Sequence, residues 1–271
     1  MGVINFNGVS TNSKRFSAPI LVEQPPSYAF PARDATFTHV PGRDGDIFVD
    51  NGSYNNVKRS YALAIGSESI DYSRLAYELS DWLHSAKGYA KLTDTYDPDH
   101  YCMAAFVDEG TIANILNNAG RLTVSFNCKP QRYLVTGDDV IELNTSGSAI
   151  YNPTMFEARP LIKVYGTFTS NATITLRNIL SEDIPSFELL ELEDQVITIS
   201  KCTDYVIIDS ELMDCYRIDN PQTPSQRSVY NANGDISFSG YSFPVIRKGR
   251  TQIIWTSPIT KLEVIPRWWT I

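Results

Sequence analysis

Residues 71 to 87 are the one stretch of this chain with a sustained helical period. Leu75, Leu79, Trp82 and Leu83 fall on one face at that spacing, while Arg74, Glu78 and Asp81 lie elsewhere. Asp71 is placed to cap the N-terminus, Arg74 and Glu78 form an i,i+4 pair, and Gly88 suits the C′ position. The rest of the 271 residues is rich in Tyr, Phe, Thr, Ile and Val and has no long Ala/Leu/Glu/Lys runs. That balance favours strands. It predicts a mainly β protein with one principal α-helix. The apolar stripe reads as core packing, with Trp82 a candidate for sealing against another subunit.

The first half reads as strands separated by turns. Residues 3 to 24 predict two strands around a Ser10–Ser13 turn, and Pro25-Pro26 stops that pairing. Tyr28 to His39 is a further strand. The bend Val40-Pro41-Gly42-Arg43-Asp44-Gly45-Asp46 follows. Pro41 fixes its own φ and extends Val40, while Gly42 and Gly45 take positive φ at little cost. The outcome is a stiff exposed bend with Arg43, Asp44 and Asp46 at its tip. It can plug into a neighbour or bind an anion; alternatively Arg43 and Asp44 simply pair across the turn. Asn51-Gly52 predicts a tight hairpin turn between Ile47–Val49 and the run Val57–Ile65. Tyr101–Val107 and Arg121–Lys129 are strands, the latter alternating Leu122, Val124 and Phe126. Residues 111 to 118 fit either a short helix or an irregular strand.

Residues 136 to 153 are poor in apolar groups and rich in Gly, Ser, Asn and Asp, which predicts a linker. It separates a domain at 1–135 from one at 154–271. The second domain carries short strands at turn-spaced intervals: 161–165, 172–176, 195–200, 204–208, 214–218, 243–246, 251–255 and 261–265. Asn233-Gly234 and Lys248-Gly249 mark turns, and 187–193 could be a strand or one helical turn. This pattern predicts an antiparallel β-sandwich. Trp268 and Trp269 near the end are candidates for docking, for instance onto the first domain.

Composition and motifs exclude several kinds of chemistry. A formal charge of −8 argues against a nucleic-acid-binding surface but permits one that nucleic acid passes without sticking. Cys102, Cys128, Cys202 and Cys215 form no CxxC pair, so no metal site is expected and buried, reduced thiols are. No leader and no run of membrane-spanning length is seen, which predicts a soluble protein folding in a cytosol. The cluster Asp94–His100 lacks the glycine and the oxygen pattern of a calcium loop and reads as a solvated turn. HExxH, GxSxG, Walker A and GxGxxG motifs are missing. Glu188, Glu191, Glu193 and Asp194 could supply a glycosidase carboxylate pair, but read better as a solvated acidic face. No catalytic, metal-binding or cofactor-binding residue is assigned, and no cofactor is expected.

Several fragments in order resemble one family. They are Pro41–Gly45, then Asp50-Asn51-Gly52-Ser53-Tyr54-Asn55-Asn56, the helix with Trp82-Leu83, Gly88–Leu92 and Asp97–Tyr101. Phe126-Asn127-Cys128-Lys129-Pro130, Asn152–Thr154, Arg159–Gly166, Tyr205–Asp209, Tyr216, Phe243-Pro244 and Pro266–Trp269 follow. Together they look like the distal tail (Dit) proteins of long, non-contractile-tailed bacteriophages. Arg250 departs from the pattern, since many members carry Asn there. The resemblance implies a virion component assembled in the host cytoplasm. It implies a hexameric ring made by the first domain and a galectin-like second domain. The ring would join the tail-tube protein to tail-tip and receptor-binding or baseplate proteins, with DNA passing through. Arg43, Asp44, Asp46, Tyr54 and Trp82 are then candidate subunit-interface residues. The alternative reading is a cell-wall carbohydrate-binding module; a wall-degrading enzyme is the third.

Overall fold

The computed structural model describes residues 2–66, 70–108, 113–116, 119–179, 193–219, 227–240 and 242–271, with the backbone alone for 113–116. The chain divides into two compact units, 1–133 with 271, and 134–270. Each has its own apolar core.

The first unit contains β1 (Ile4–Phe6), β2 (Val9–Ser10), β3 (Ile20–Val22), β4 (Arg33–Thr38), β5 (Ile47–Tyr54) and β6 (Val57–Gly66). Helix α1 (Tyr72–Leu83) follows, then β7 (Ala90–Asp94), β8 (His100–Ala105), β9 (Ala113–Leu116) and β10 (Ala119–Leu134). Its main sheet runs β2-β1-β7-β8-β10-β6-β3, with β9 also on β10. The alternation expected at Tyr61, Leu63 and Ile65 and at Leu122, Val124 and Phe126 points these side chains to one buried face. Helix α1 covers that face with Leu75, Leu79, Trp82 and Leu83, the predicted stripe. Asp71 is its N-cap, Oδ1 accepting from the Arg74 amide at 3.0 Å. Such a cap stabilises by about 1 kcal/mol. The helix stops at His84, before Gly88: His84 leaves helical geometry at φ −93° and ψ 5°, and the next amide, Ser85, turns back to Trp82 O at 3.2 Å in place of the i−4 carbonyl.

Two expectations for this unit change, and one left open is decided for 113–116. Asn51-Gly52 is no hairpin turn. β5 runs through it, and Asp34 pairs with Ser53 while Ala35 pairs with Asp50, so the two residues form a bulge against β4. Gly52 at φ +74° serves a bulge as well as it would a turn. Asp94 is no member of a solvated turn. Its side chain is 1% exposed and accepts from Tyr61 Oη at 2.7 Å and from the amides of Tyr96 and Asp97, with Arg59 at 3.7 Å. It organises the turn from inside. Of residues 111–118, 113–116 form β9, and the others lie outside the described residues.

The second unit is a two-sheet sandwich. One sheet orders as β11 (Ile141–Leu143), β21 (Lys261–Ile265), β13 (Leu161–Tyr165), β16 (Tyr205–Asp209), β17 (Asp214–Asp219) and β18 (Ser228–Asn231). The other orders as β12 (Ser148–Asn152), β20 (Gly249–Trp255), β14 (Ala172–Ile179), β15 (Gln195–Ile199) and β19 (Ile236–Phe238). The pairings are antiparallel. Alternate residues of both sheets, among them Ile162, Val164, Ile208, Val264, Ile174, Leu176, Ile199 and Ile253, make one core. The stretch expected as linker is part of this unit: it holds a 3-10 turn at Val135–Asp138 and strands β11 and β12. Residues 243–246 contribute only an isolated bridge, Ala158 to Ile246. A final short strand, β22 (Trp269–Thr270), ends the chain's secondary structure.

Candidate functional site

Strands β4 and β5 pair only with each other and leave the main sheet as an arm. Phe37 sits opposite Phe48, rings 5.4 Å apart. Thr36 opposes Val49 and Thr38 opposes Ile47, so the second face of the ribbon sets threonines on β4 against aliphatic side chains on β5. A solvated ribbon alternates polar and apolar groups, whereas Ile47-Phe48-Val49 does not. Yet Phe37 is 66% exposed and Phe48 51%, and Phe30, just before the arm, reaches 85%. Soluble monomers seldom leave such a contiguous surface to water.

The arm is stiff at its base. Arg33 donates from Nη1 to Asp50 Oδ2 at 2.6 Å and from Nη2 to Tyr54 Oη at 2.7 Å. Asp34 accepts from Asn51 Nδ2 and Ser53 Oγ, and the Asp50 carboxylate takes the Gly52 amide. The bulge is thus locked by its own carboxylates. Tyr28 sits against both Arg59 and Arg132, which fixes the chain where it leaves the body. At the tip Gly42 and Gly45 take φ of +83° and +78°, and the Arg43 amide donates to Val40 O.

The sequence-predicted residues divide. Arg43 and Asp44 are exposed at the tip and form no ion pair with each other among the described residues; Asp46 meets His39 Nδ1 at 3.2 Å instead. Tyr54 stands at the arm's base. Trp82 does not belong to this surface: it is 0% exposed, its Nε1 donates to Phe6 O at 3.0 Å, and its ring meets Phe16 edge-on. Trp268 lies in the second unit's own core, and Trp269 stacks on Phe156 and donates to Glu157 O in that same unit. The aromatics Phe30, Phe37 and Phe48 were not singled out from sequence. The unalternating Ile47–Val49 run was the available signal.

The second unit has a cleft of about 510 Å³ lined by Arg159, Asp194, Gln195, Phe243 and Arg247. Its charges are largely spent internally. Asp194 takes a two-pronged grip from Arg177, which holds its carboxyl below the usual range against the opposing effect of burial. Arg247 faces Glu157 at 3.5 Å and Glu193 O. Glu188 and Glu191 lie outside the described residues. Among the described residues no His/Cys/Asp/Glu group is arranged to hold a metal ion, and no helix is long and apolar enough to cross a membrane.

The class these features define is a two-unit antiparallel β protein whose first unit carries a free apolar arm. No family model and no curated protein sequence matches the chain. Solved structures do. The Dit protein of phage SPP1, described as a paradigm of the hub adsorption apparatus in phages infecting Gram-positive bacteria, superposes with a TM-score of 0.65 at 11% identity, covering 100% of both chains. A chain of the phage P2 baseplate in its activated conformation with calcium matches at 0.53 and 14% identity over 97% of each chain. The same baseplate with strontium gives 0.52 and 14%, over 97% and 96%. The protein therefore has the Dit fold from end to end.

Proposed function

We propose that this protein is a distal tail protein, a structural hub at the tip of a phage tail, acting through contacts rather than catalysis. In this reading six copies close into a ring. The first units form the ring, and the second units meet receptor-binding or other baseplate proteins. The ring joins the tail tube to the tail-tip protein and lets DNA through. Full-length likeness to a hub protein supports the reading, and the observation that carries it is the arm. A ribbon with exposed aromatic and aliphatic groups and no sheet partner among the described residues is a surface made for another chain, and a ring of identical copies supplies one to every member. The net charge of −8 suits a passage that DNA does not adhere to. The cleft in the second unit, where Asp194 is held by Arg177 and Arg247 faces Glu157, offers the carbohydrate-binding alternative no aromatic platform beyond Phe243 among the described residues.

Negative-stain electron microscopy and mass photometry of the purified protein test this, alone and mixed with the tail-tube protein. Six-fold annuli are expected in at least one condition. A protein that stays monomeric in both, at every concentration tried, overturns the reading.

A further inference from the structure

Two cysteines in the first unit lie closer together than their sequence separation suggests. Cys102 on β8 and Cys128 on β10 belong to neighbouring strands and both point into the core face. Their sulfurs are 3.6 Å apart, in hydrogen-bond contact. A disulfide would bring the two sulfurs from this contact to about 2.05 Å, a short approach between side chains of adjacent strands. Cys202 and Cys215, by contrast, are thiols of the other unit, pushed up by burial to about 11 and about 12.

We propose that Cys102 and Cys128 are a redox pair, dithiol in a reducing cytosol and disulfide once a peroxide reaches them. The two thiols are not equivalent. The hydrogen-bond contact with Cys128 draws the Cys102 thiol below its ordinary value. Burial and Asp94 act against this, and Arg59 and Arg132 assist. Cys128 is pushed up, first by its partner and then by burial. Cys102 is thus the attacking thiol and Cys128 the resolving one. A cleft of about 10 Å³, lined by Arg59, Lys129, Arg132 and both cysteines, reaches the sulfurs. That is room for about one water, and hydrogen peroxide is one oxygen larger. Both thiols are buried, so peroxide reaches them only when the partly exposed Lys129 and Arg132 lift off the Tyr89 and Tyr28 rings they stack on.

The chemistry balances with hydrogen peroxide as oxidant. The Cys102 thiolate attacks one peroxide oxygen, the O–O bond breaks, and the departing hydroxide takes a proton to leave as water. Cys102 is then a sulfenic acid. The Cys128 sulfur attacks the Cys102 sulfur, the S–O bond breaks, and the hydroxide takes the Cys128 proton as a second water. Two thiols have lost two electrons and the peroxide has gained them. The product ties β8 to β10 across the chain between residues 102 and 128. It reinforces the first unit without altering which groups face solvent.

The test uses the unmodified full-length protein, treated with dilute hydrogen peroxide, alkylated under denaturing conditions and mapped as peptides without reduction. The expected result is one linked peptide joining Cys102 to Cys128, a mass loss of two hydrogens, and Cys202 and Cys215 still alkylated. The first unit's denaturation midpoint should rise, and dithiothreitol should reverse the change. In Cys128→Ala, Cys102 should instead stop at a sulfenic acid trapped by dimedone. The proposal is overturned if both thiols remain alkylated after treatment. It is equally overturned if Cys102 over-oxidises with no link, or if the links scatter among all four cysteines. Peptide mapping of the unmodified protein decides the matter even if the variant does not fold.

Discussion

Asp209 shows how a single side chain can hold the end of the polypeptide. Arg267 grips it with Nη1 at 2.6 Å and Nη2 at 2.9 Å, while the carboxylate also takes the Glu211 and Leu212 amides. Burial pushes this carboxyl up, but the Arg267 pair and the two amides outweigh it and hold it below the usual range. Arg267 itself adopts φ +57°, a conformation the pair helps to maintain. Asp209→Asn should cost about 2 kcal/mol, since it removes the two-pronged partner of a mostly buried guanidinium and leaves it only Glu211 at 3.5 Å. The sign of the pH effect follows from the lowered value. The contribution is full above the unfolded carboxylate pKa and fades as pH falls through the folded one. Urea titrations of the native protein and of Asp209→Asn should therefore converge under strong acid and diverge towards neutrality. Trp82 offers a second check. Trp82→Ala should lose about 4 kcal/mol from the first unit by opening a core cavity, visible as a lowered urea midpoint of that unit.

At the scale of elements, the arm is where structure and stability part company. Phe37→Thr with Phe48→Thr should lower the unfolding free energy from urea titration by no more than about 1 kcal/mol, the worth of one exposed cross-strand ring pair. The same pair should abolish annulus formation in micrographs. Helix α1 was legible in the sequence because its signals are local: Asp71 in front, then four apolar residues on one face. The sandwich strands were legible from alternation and turn spacing for the same reason. Asn51-Gly52 misled because a left-handed glycine fits a bulge and a turn equally, and only the partner strand distinguishes them. Asp94 misled because its solvation depends on Tyr61 and Arg59, which lie more than thirty residues away. The arm's apolar residues were indistinguishable from core on composition alone. Their exposure is a property of what β4 and β5 fail to pair with, and the unalternating Ile47–Val49 run is the one local trace of it.

Taken whole, the protein has two separate cores divided near residue 133, so calorimetry should resolve two transitions. Asp209→Asn should lower one of them and Trp82→Ala the other. With a charge of −8, the protein should leave duplex DNA unshifted in gels near physiological salt. The unpartnered ribbon gives the proposed assembly a direction. In the proposed ring each copy gives its ribbon to the next and takes one from the copy before, so neighbours meet head to tail. A copy whose ribbon has been cut away can still accept but has nothing to donate. Mixed in small amounts with intact protein, it would terminate the growing circle and leave open arcs, a dominant poison made from the protein's own sequence.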